Sequence, residues 1–128
     1  MNNIIPLLLL GILLFYFFKK FLITRNVKNY TVSEVASLLK SGDVVLLDVR
    51  TKEERQQHSI QHSLHIPLHE LERKATELEK YKAKEIICYC RSGNRSLIAA
   101  AKLHQRGFQS ANMKGGISEW NFYTKNTV

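Results

Sequence analysis

One short run of the chain combines a cysteine with small, polar and basic residues: Cys90, Arg91, Ser92, Gly93, Asn94, Arg95 and Ser96. An apolar stretch from Glu85 to Cys90 predicts a strand before it, and an Ala- and Leu-rich stretch predicts a helix after it. A loop that enters a helix N-terminus offers backbone N–H groups and positive partial charge to an anion. Both favour a thiolate, the reactive form of cysteine. The pattern therefore predicts that Cys90 is a nucleophile.

A second cysteine, Cys88, lies two residues before Cys90 on the same face of the predicted strand. Two cysteines at this spacing do not easily bridge to each other within a strand. Buried packing is the more frequent role for such a position, so we expect Cys88 to pack in the core rather than to act as a resolving thiol.

Strand and helix signals alternate along the chain from residue 31 onward. The predicted elements are a helix capped by Thr31 and ended by Gly42, a strand from Val44 to Val49, a helix from His69 to Tyr81, the strand before the cysteine loop, a helix from Ser96 to Arg106, a strand from Gln109 to Met113 and a short helix beginning near Ile117. Such alternation predicts an α/β fold with a mainly parallel central sheet flanked by helices. Ligands of such sheets bind at the carboxyl ends of the strands, where Cys90 lies.

The N-terminal segment is uncharged from Ile4 to Phe18. With the residues up to position 23 it is long enough to cross a bilayer core of about 30 Å. A cleaved signal peptide would carry a basic start and a small-residue cleavage site, and the sequence has neither. We therefore predict a transmembrane anchor with a basic juxtamembrane segment over residues 1–28, and one domain over residues 29–128.

The positive charge of the chain is concentrated next to this anchor. The formal net charge is +8, and four of the 19 basic residues lie at positions 19, 20, 25 and 28 with no acidic residue among the first 28. Fifteen basic and eleven acidic residues remain, which leaves +4 for the domain and no basic block for nucleic acid. By the positive-inside rule we predict that this single-pass chain has its N-terminus outside and its domain in the cytoplasm.

Three further segments accompany the cysteine loop in an order that resembles the rhodanese (sulfurtransferase) family. The resemblance covers roughly residues 29 to 123. Between His58 and His65 the chain carries histidines where the family usually carries glycines, a departure that concerns the turn at the rim of the site rather than the chemistry. The three segments are Val44 to Arg50 with Glu53 and Glu54 after it, Ile66-Pro67, and Gly115 to Trp120.

The resemblance implies a sulfurtransferase in which Cys90 takes the outer sulfur of a donor such as thiosulfate and becomes a persulfide. Cyanide, a thiol or a partner protein's cysteine then accepts that sulfur. The backbone N–H groups of residues 91 to 96 would hold the anionic sulfur, and Arg91 and Arg95 would stabilise the donor's oxyanion. The chemistry requires no metal and no organic cofactor.

Asp48 and Arg50 also end a predicted parallel strand, which makes them candidates for a supporting role. We expect Arg50 to form a structural ion pair with Glu53 or Glu54 rather than to take part in catalysis. Trp120, after the Gly-Gly turn, is expected to pack in the core.

Four histidines, His58, His62, His65 and His69, include two pairs spaced four residues apart. On one continuous helix such pairs could bind zinc. Pro67 interrupts such a helix, so we expect histidines of turns and of the site's rim rather than metal ligands.

Two other functions stay open at this point. A phosphatase or arsenate reductase can share the fold, but such enzymes have a loop one residue longer, whereas four residues separate Cys90 from Arg95 here. A non-catalytic, membrane-anchored binding module is the other alternative, and an intact cysteine with two loop arginines argues against it.

Overall fold

The computed structural model of the protein describes residues 3–126. Its first element is helix α1 (Ile4–Thr24), whose 21 residues include no buried one. At 1.5 Å per residue this helix is about 31 Å long, close to the thickness of a bilayer core. By length and composition it is the one helix among the described residues that is apolar enough to cross a membrane. Beyond residue 18 it continues into the basic segment, where it lies beside Ile98.

Five parallel strands form one sheet, which confirms the predicted fold class. The strand order is β1-β5-β4-β2-β3, so β4 lies at the centre. Its neighbours pair in register, with Leu47 of β2 opposite Cys88 and Asn112 of β5 also opposite Cys88. The strands are β1 (Lys28–Tyr30), β2 (Val44–Asp48), β3 (Leu64–His65), β4 (Glu85–Tyr89) and β5 (Ser110–Met113).

The two outer strands were not predicted from the sequence. β1 has three residues and β3 has two, and neither contains the continuous apolar run of a strand that is buried on both faces. The three central strands match their predicted limits to within one residue. Burial on both faces is therefore the property that made a strand recognisable.

The helices that cover the sheet begin and end at the expected signals in most places. Thr31 Oγ1 accepts a hydrogen bond from the backbone N–H of Glu34, and the Glu34 carboxylate accepts one from the N–H of Thr31. Gly42 ends the same helix with φ 78°, in the left-handed region. The helices are α2 (Val32–Ser41), α3 (Lys52–Gln57), α4 (Leu71–Lys74), α5 (Asn94–Gln105) and α6 (Gly116–Asn126).

The segment from residue 69 to 81 differs from the single helix that was predicted. It consists of a 3₁₀ turn (Leu68–Glu70), the one-turn helix α4 and a second 3₁₀ segment (Ala75–Tyr81). The predicted inner residues Leu71, Ala75 and Leu78 are nevertheless buried. The spacing of four from Leu71 to Ala75 crosses the α-helical turn, and the spacing of three from Ala75 to Leu78 lies within the 3₁₀ segment, where residues three apart share a side. The apolar pattern therefore does not distinguish this arrangement from a single α-helix.

Two hydrophobic clusters cover the two faces of the sheet. Ile86 and Cys88 of β4 point to the cluster that contains Leu71 and Leu103, whereas Ile87 and Tyr89 point to the opposite one. Trp120 of α6 packs against the second cluster, which confirms its predicted packing role. The sheet is thus held between α4 and α5 on one side and α2 and α6 on the other, and its carboxyl edge stays open for the cysteine loop.

Candidate active site

Cys90 directly follows the central strand, at the carboxyl edge of the sheet. Its sulfur accepts hydrogen bonds from the backbone N–H of Gly93 at 3.1 Å and of Ser96 at 3.4 Å. The Ser96 hydroxyl oxygen lies 3.3 Å from the same sulfur. α5 begins at Asn94, two residues earlier than predicted, so its first turn surrounds the sulfur. The loop therefore gathers N–H donors around one atom.

The hydrogen-bond donors and the burial of the sulfur have opposite effects on the pKa of Cys90. Burial raises the pKa of the Cys90 thiol, but hydrogen bonds from Ser96, Gly93 and Ser92 lower it, and the net direction is downward. Cys88 is completely buried without such donors, and burial raises the pKa of its thiol. The surroundings of Cys90 therefore favour a thiolate, whereas Cys88 packs in the core.

Two glycines shape the loop that carries these donors. Gly93 has φ 107°, a conformation that an L side chain would strain. A Cβ atom on Gly116 would collide with the carbonyl groups of Cys90 and Arg91. This close approach lets the first N–H groups of α6 donate to those carbonyls, from Ile117 to Cys90 at 2.9 Å and from Ser118 to Arg91 at 3.2 Å. With its carbonyl groups held by α6, the loop is free to direct N–H groups at the sulfur.

The two loop arginines have different surroundings. Arg95 donates to both carboxylate oxygens of Glu54, at 2.7 and 2.9 Å, and this pairing lowers the pKa of Glu54 to about 2. Arg91 is exposed, and its side chain has no ion-pair partner among residues 3–126. The positive charge of Arg95 is thus compensated, which the sequence did not indicate, whereas that of Arg91 is available.

A cavity of about 320 Å³ opens beside the loop, and Arg91 lies on its wall. Arg50 and His58 line the same cavity from the neighbouring segments, and Ser118 and Asn121 line it from α6. His58 Nε2 lies 2.9 Å from Asn121 Oδ1, which joins two of these walls. A small anion entering here lies beside Arg91, the loop arginine whose charge is not compensated by an ion pair among residues 3–126.

The expected ion pair of Arg50 with Glu53 or Glu54 is wrong. Arg50 instead donates through Nε and Nη2 to the two oxygens of the buried Asp48, at 3.0 and 2.9 Å. The two residues lie two positions apart at the end of an extended strand, so their side chains leave the chain on the same side. Glu54, the expected partner, is occupied by Arg95.

Asp48 also holds the turn that follows α3. Its carboxylate accepts hydrogen bonds from the Tyr89 hydroxyl at 3.1 Å and from Arg55 at 3.3 Å. Arg55 donates further to Ser63, and Arg50 donates to the carbonyl of His58 at 2.6 Å. Asp48 and Arg50 therefore form a buried structural network below the site.

The four histidines are not gathered into one set of metal ligands among residues 3–126. Within the part of the chain that the structure describes, no three His, Cys, Asp or Glu side chains gather as metal ligands. His65 Nε2 lies 2.8 Å from the Arg50 carbonyl oxygen, and His58 contacts Asn121. His62 has φ 65°, so a histidine takes the left-handed conformation in a segment where glycines were expected.

Two features near the site were missed in the sequence: helix α3, whose Glu54 pairs with Arg95, and the buried polar contact of Asn112. Glu54 belongs to a capping box with Thr51, the same signal that located α2, and this repeat could have revealed α3. Asn112 is buried in β5, and its Oδ1 accepts a hydrogen bond from the Ser96 hydroxyl at 2.6 Å. An asparagine between the apolar residues Ala111 and Met113 of a strand was the available signal.

Comparison with known proteins agrees with this architecture. Residues 31–122 match the Rhodanese-like domain family. The chain is 38% identical over 84 residues to a sulfurtransferase from Allochromatium vinosum, covering 65% of this chain and 77% of that protein. It is 31% identical over 103 residues to the thiosulfate:glutathione sulfurtransferase of Homo sapiens, covering 70% of this chain and 90% of that one.

A solved structure shows the same fold. The rhodanese-related protein from Thermoplasma volcanium has a TM-score of 0.69 to this chain at 31% identity, covering 75% of this chain and 92% of that one. The protein therefore belongs to the rhodanese-like family, and its similarity to proteins named sulfurtransferases indicates the same activity at the level of the family.

The pairing of Glu54 with Arg95 leads to a prediction about stability. The pKa of Glu54 is about 2 in the folded protein, below an ordinary value of about 4.3. Its stabilising effect is therefore complete above about pH 4.3 and is lost as the pH falls toward 2. We expect Glu54→Gln to lower the free energy of unfolding by about 1 kcal/mol at pH 7, because both partners are partly exposed.

Urea unfolding of the full-length protein in detergent, at pH 7 and at pH 3, measures this effect. The difference between wild type and Glu54→Gln should shrink at pH 3. Glu53→Gln is the matched control, since this exposed neighbour has no ion pair among the described residues. A loss in Glu54→Gln that is the same at both pH values would contradict the ionic origin.

Proposed function

We propose that the protein transfers sulfur through a persulfide on Cys90. The observation that carries the proposal is the group of donors around its sulfur, from Gly93 and Ser96. The Cys90 thiolate attacks the outer sulfur of a donor such as thiosulfate. A new S–S bond forms, the S–S bond of thiosulfate breaks, and its electron pair leaves with sulfite. The negative charge then lies on the outer sulfur of the persulfide.

The second step returns the enzyme to its starting state. Cyanide, a thiolate or the cysteine thiolate of a partner protein attacks the outer sulfur. The persulfide S–S bond breaks, and its electron pair returns to Cys90 as the thiolate. Because both steps begin and end with anions, the preorganised N–H groups of the loop stabilise charge throughout the cycle. In this proposal neither step requires a metal or an organic cofactor.

Arg91 is the residue we assign to the donor's sulfonate oxygens. Its side chain is exposed at the wall of the cavity, and its charge is not compensated by a neighbouring carboxylate in residues 3–126. Arg95, through Glu54, is assigned the role of bracing the loop. This division also favours sulfur over phosphate chemistry, because a phosphate dianion held by the loop would have to compete with Glu54 for Arg95.

We further propose that α1 anchors the enzyme in a membrane, with residues 1–28 as anchor and juxtamembrane segment and residues 29–128 as a cytoplasmic domain. The exposed apolar surface of α1 supports the anchor. The basic residues that follow the apolar part, Lys19, Lys20, Arg25 and Lys28, support the orientation.

The two cysteines give the first test of this function. Cys90→Ser should abolish thiosulfate-to-cyanide sulfur transfer, because a serine hydroxyl is not ionised at neutral pH and cannot carry a persulfide. Cys88→Ser should keep most of the activity, because only Cys90 has donors that favour a thiolate. Turnover in Cys90→Ser, measured as thiocyanate release, would rule out the assignment.

The free loop arginine gives the second test. Loss of a hydrogen bond to a charged group typically costs about 1.5–3 kcal/mol, so Arg91→Ala should lower kcat/KM for thiosulfate by roughly one to two decades. The melting temperature should remain almost unchanged, since the side chain is exposed. Arg106→Ala is the matched control, because it removes an exposed arginine at the other end of α5. Wild-type kinetics in Arg91→Ala would show that the side chain does not bind the donor.

Protease accessibility tests the membrane arrangement. In intact cells or spheroplasts the domain should resist an added protease, and after lysis it should sediment with membranes. Permeabilised cells are the control in which the domain becomes accessible. Digestion in intact spheroplasts, or a mature N-terminus beyond residue 20, would contradict the proposed topology.

A further inference from the structure

Asn112 joins the candidate nucleophile to the edge of the sheet. It lies in β5 and is only 3% exposed, and its Oδ1 accepts a hydrogen bond from the Ser96 hydroxyl at 2.6 Å. The same Ser96 oxygen is 3.3 Å from Cys90 Sγ. Asn112 Oδ1 is thus linked to the sulfur through the Ser96 hydroxyl, and its amide nitrogen also binds the carbonyl of Gly93, whose N–H donates to Sγ.

The direction of the Asn112 amide is determined by its surroundings. Asn29 of β1 donates through Nδ2 to the Val27 carbonyl at 3.2 Å, which leaves Asn29 Oδ1 as an acceptor. Asn112 Nδ2 donates to that Oδ1 at 2.9 Å and to the Gly93 carbonyl at 3.3 Å. A flipped amide would place the Asn112 oxygen against two acceptors. Asn112 Oδ1 must therefore face Ser96.

The Ser96 hydroxyl faces two acceptors with a single proton. While Cys90 is a neutral thiol, Asn112 Oδ1 is the better acceptor, because sulfur in a thiol accepts weakly. Once Cys90 is a thiolate, Sγ is charged, and a hydrogen bond to a charged acceptor is the stronger one. The hydroxyl then turns to Sγ, and Asn112 Oδ1 loses its donor. The preferred acceptor thus depends on the charge of Sγ.

We propose that Asn112 is a positioning residue whose Oδ1 holds the Ser96 hydroxyl proton whenever Cys90 Sγ is uncharged and releases it when the thiolate forms. In the sulfur transfer proposed above, on which this step rests, Sγ loses its charge as it bonds to the outer sulfur. The hydroxyl then returns to Asn112 in the persulfide and turns back when the acceptor removes the sulfur. No proton leaves the hydroxyl, because only the O–H bond rotates.

Removing the competing acceptor should therefore favour the thiolate. Asn112→Ala removes the hydrogen bond that Ser96 makes to Asn112 Oδ1 while Cys90 is a thiol. It also removes the Oδ1 atom that would lack a donor while Cys90 is a thiolate. The Cys90 pKa should fall by about half to one unit, which corresponds to roughly one hydrogen bond. Asn29→Ala releases the amide from one of its two acceptors, so it should lower the pKa by a smaller amount.

A double-mutant cycle separates this coupling from a general structural effect. Asn112→Ala and Asn29→Ala are each made in the wild type and in a Ser96→Ala background, as full-length protein in detergent. The rate of alkylation by iodoacetamide is measured against pH, and peptide fragmentation locates the modification on Cys90. Asn26→Ala, an exposed asparagine before β1, is the matched control and should produce no shift.

The coupling predicts that both shifts are present with Ser96 and absent with Ser96→Ala. Equal shifts in the two backgrounds, or no shift, would overturn it. If Asn112→Ala shows no cooperative thermal transition, it is not folded and its pKa is not used. The coupling is then tested by Asn29→Ala at an exposed position, whose shift must be present with Ser96 and absent with Ser96→Ala. The pKa of Cys90 is measured without a sulfur donor. Failure of persulfide formation would therefore refute the proposed function and leave this coupling intact. Absence of the pKa shifts would refute the coupling and leave the proposed function intact.

Discussion

The arrangement depends above all on backbone N–H groups that point at one sulfur atom. Taking a thiolate out of water is unfavourable, and Cys90 is 1% exposed, so these donors must replace its hydration. They can do so because the loop's own carbonyls are bound by the first N–H groups of α6. That contact in turn requires Gly116, since any side chain there would collide with the loop. The Gly-Gly turn and the cysteine loop, far apart in sequence, are therefore two halves of one structure.

Charge is distributed in two layers around this centre. Close to the loop, Arg95 and Glu54 neutralise each other and hold α3 against the first turn of α5. Below the site, Asp48 and Arg50 neutralise each other inside the protein and support the turn that follows α3. Arg91 keeps an uncompensated charge at the cavity. An anionic donor would then be attracted by one exposed side chain and stabilised by the backbone N–H groups of the loop.

The sequence predicted what local patterns determine and missed what depends on contacts across the fold. The capping box at Thr31, the continuous apolar strands and the strand-loop-helix of Cys90 each follow from neighbouring residues, and the structure contains them all. The partner of Arg50 was assigned wrongly, because Glu54 is bound by Arg95, 41 residues away, and Arg50 pairs with Asp48 instead. β3 and the role of Asn112 were missed for the same reason, since both depend on neighbouring strands rather than on local pattern.

The central claim is that the cradle of N–H groups makes Cys90 a sulfur carrier, and intact-mass spectrometry tests it most directly. The full-length protein in detergent is treated with thiosulfate, excess thiosulfate is removed, and the intact mass is measured. The variants Cys90→Ser and Cys88→Ser are treated in the same way. The account predicts that wild type and Cys88→Ser each gain the mass of one sulfur atom, that Cys90→Ser gains none, and that cyanide removes the added mass. A gain in Cys90→Ser, or no gain in the wild type, would contradict it.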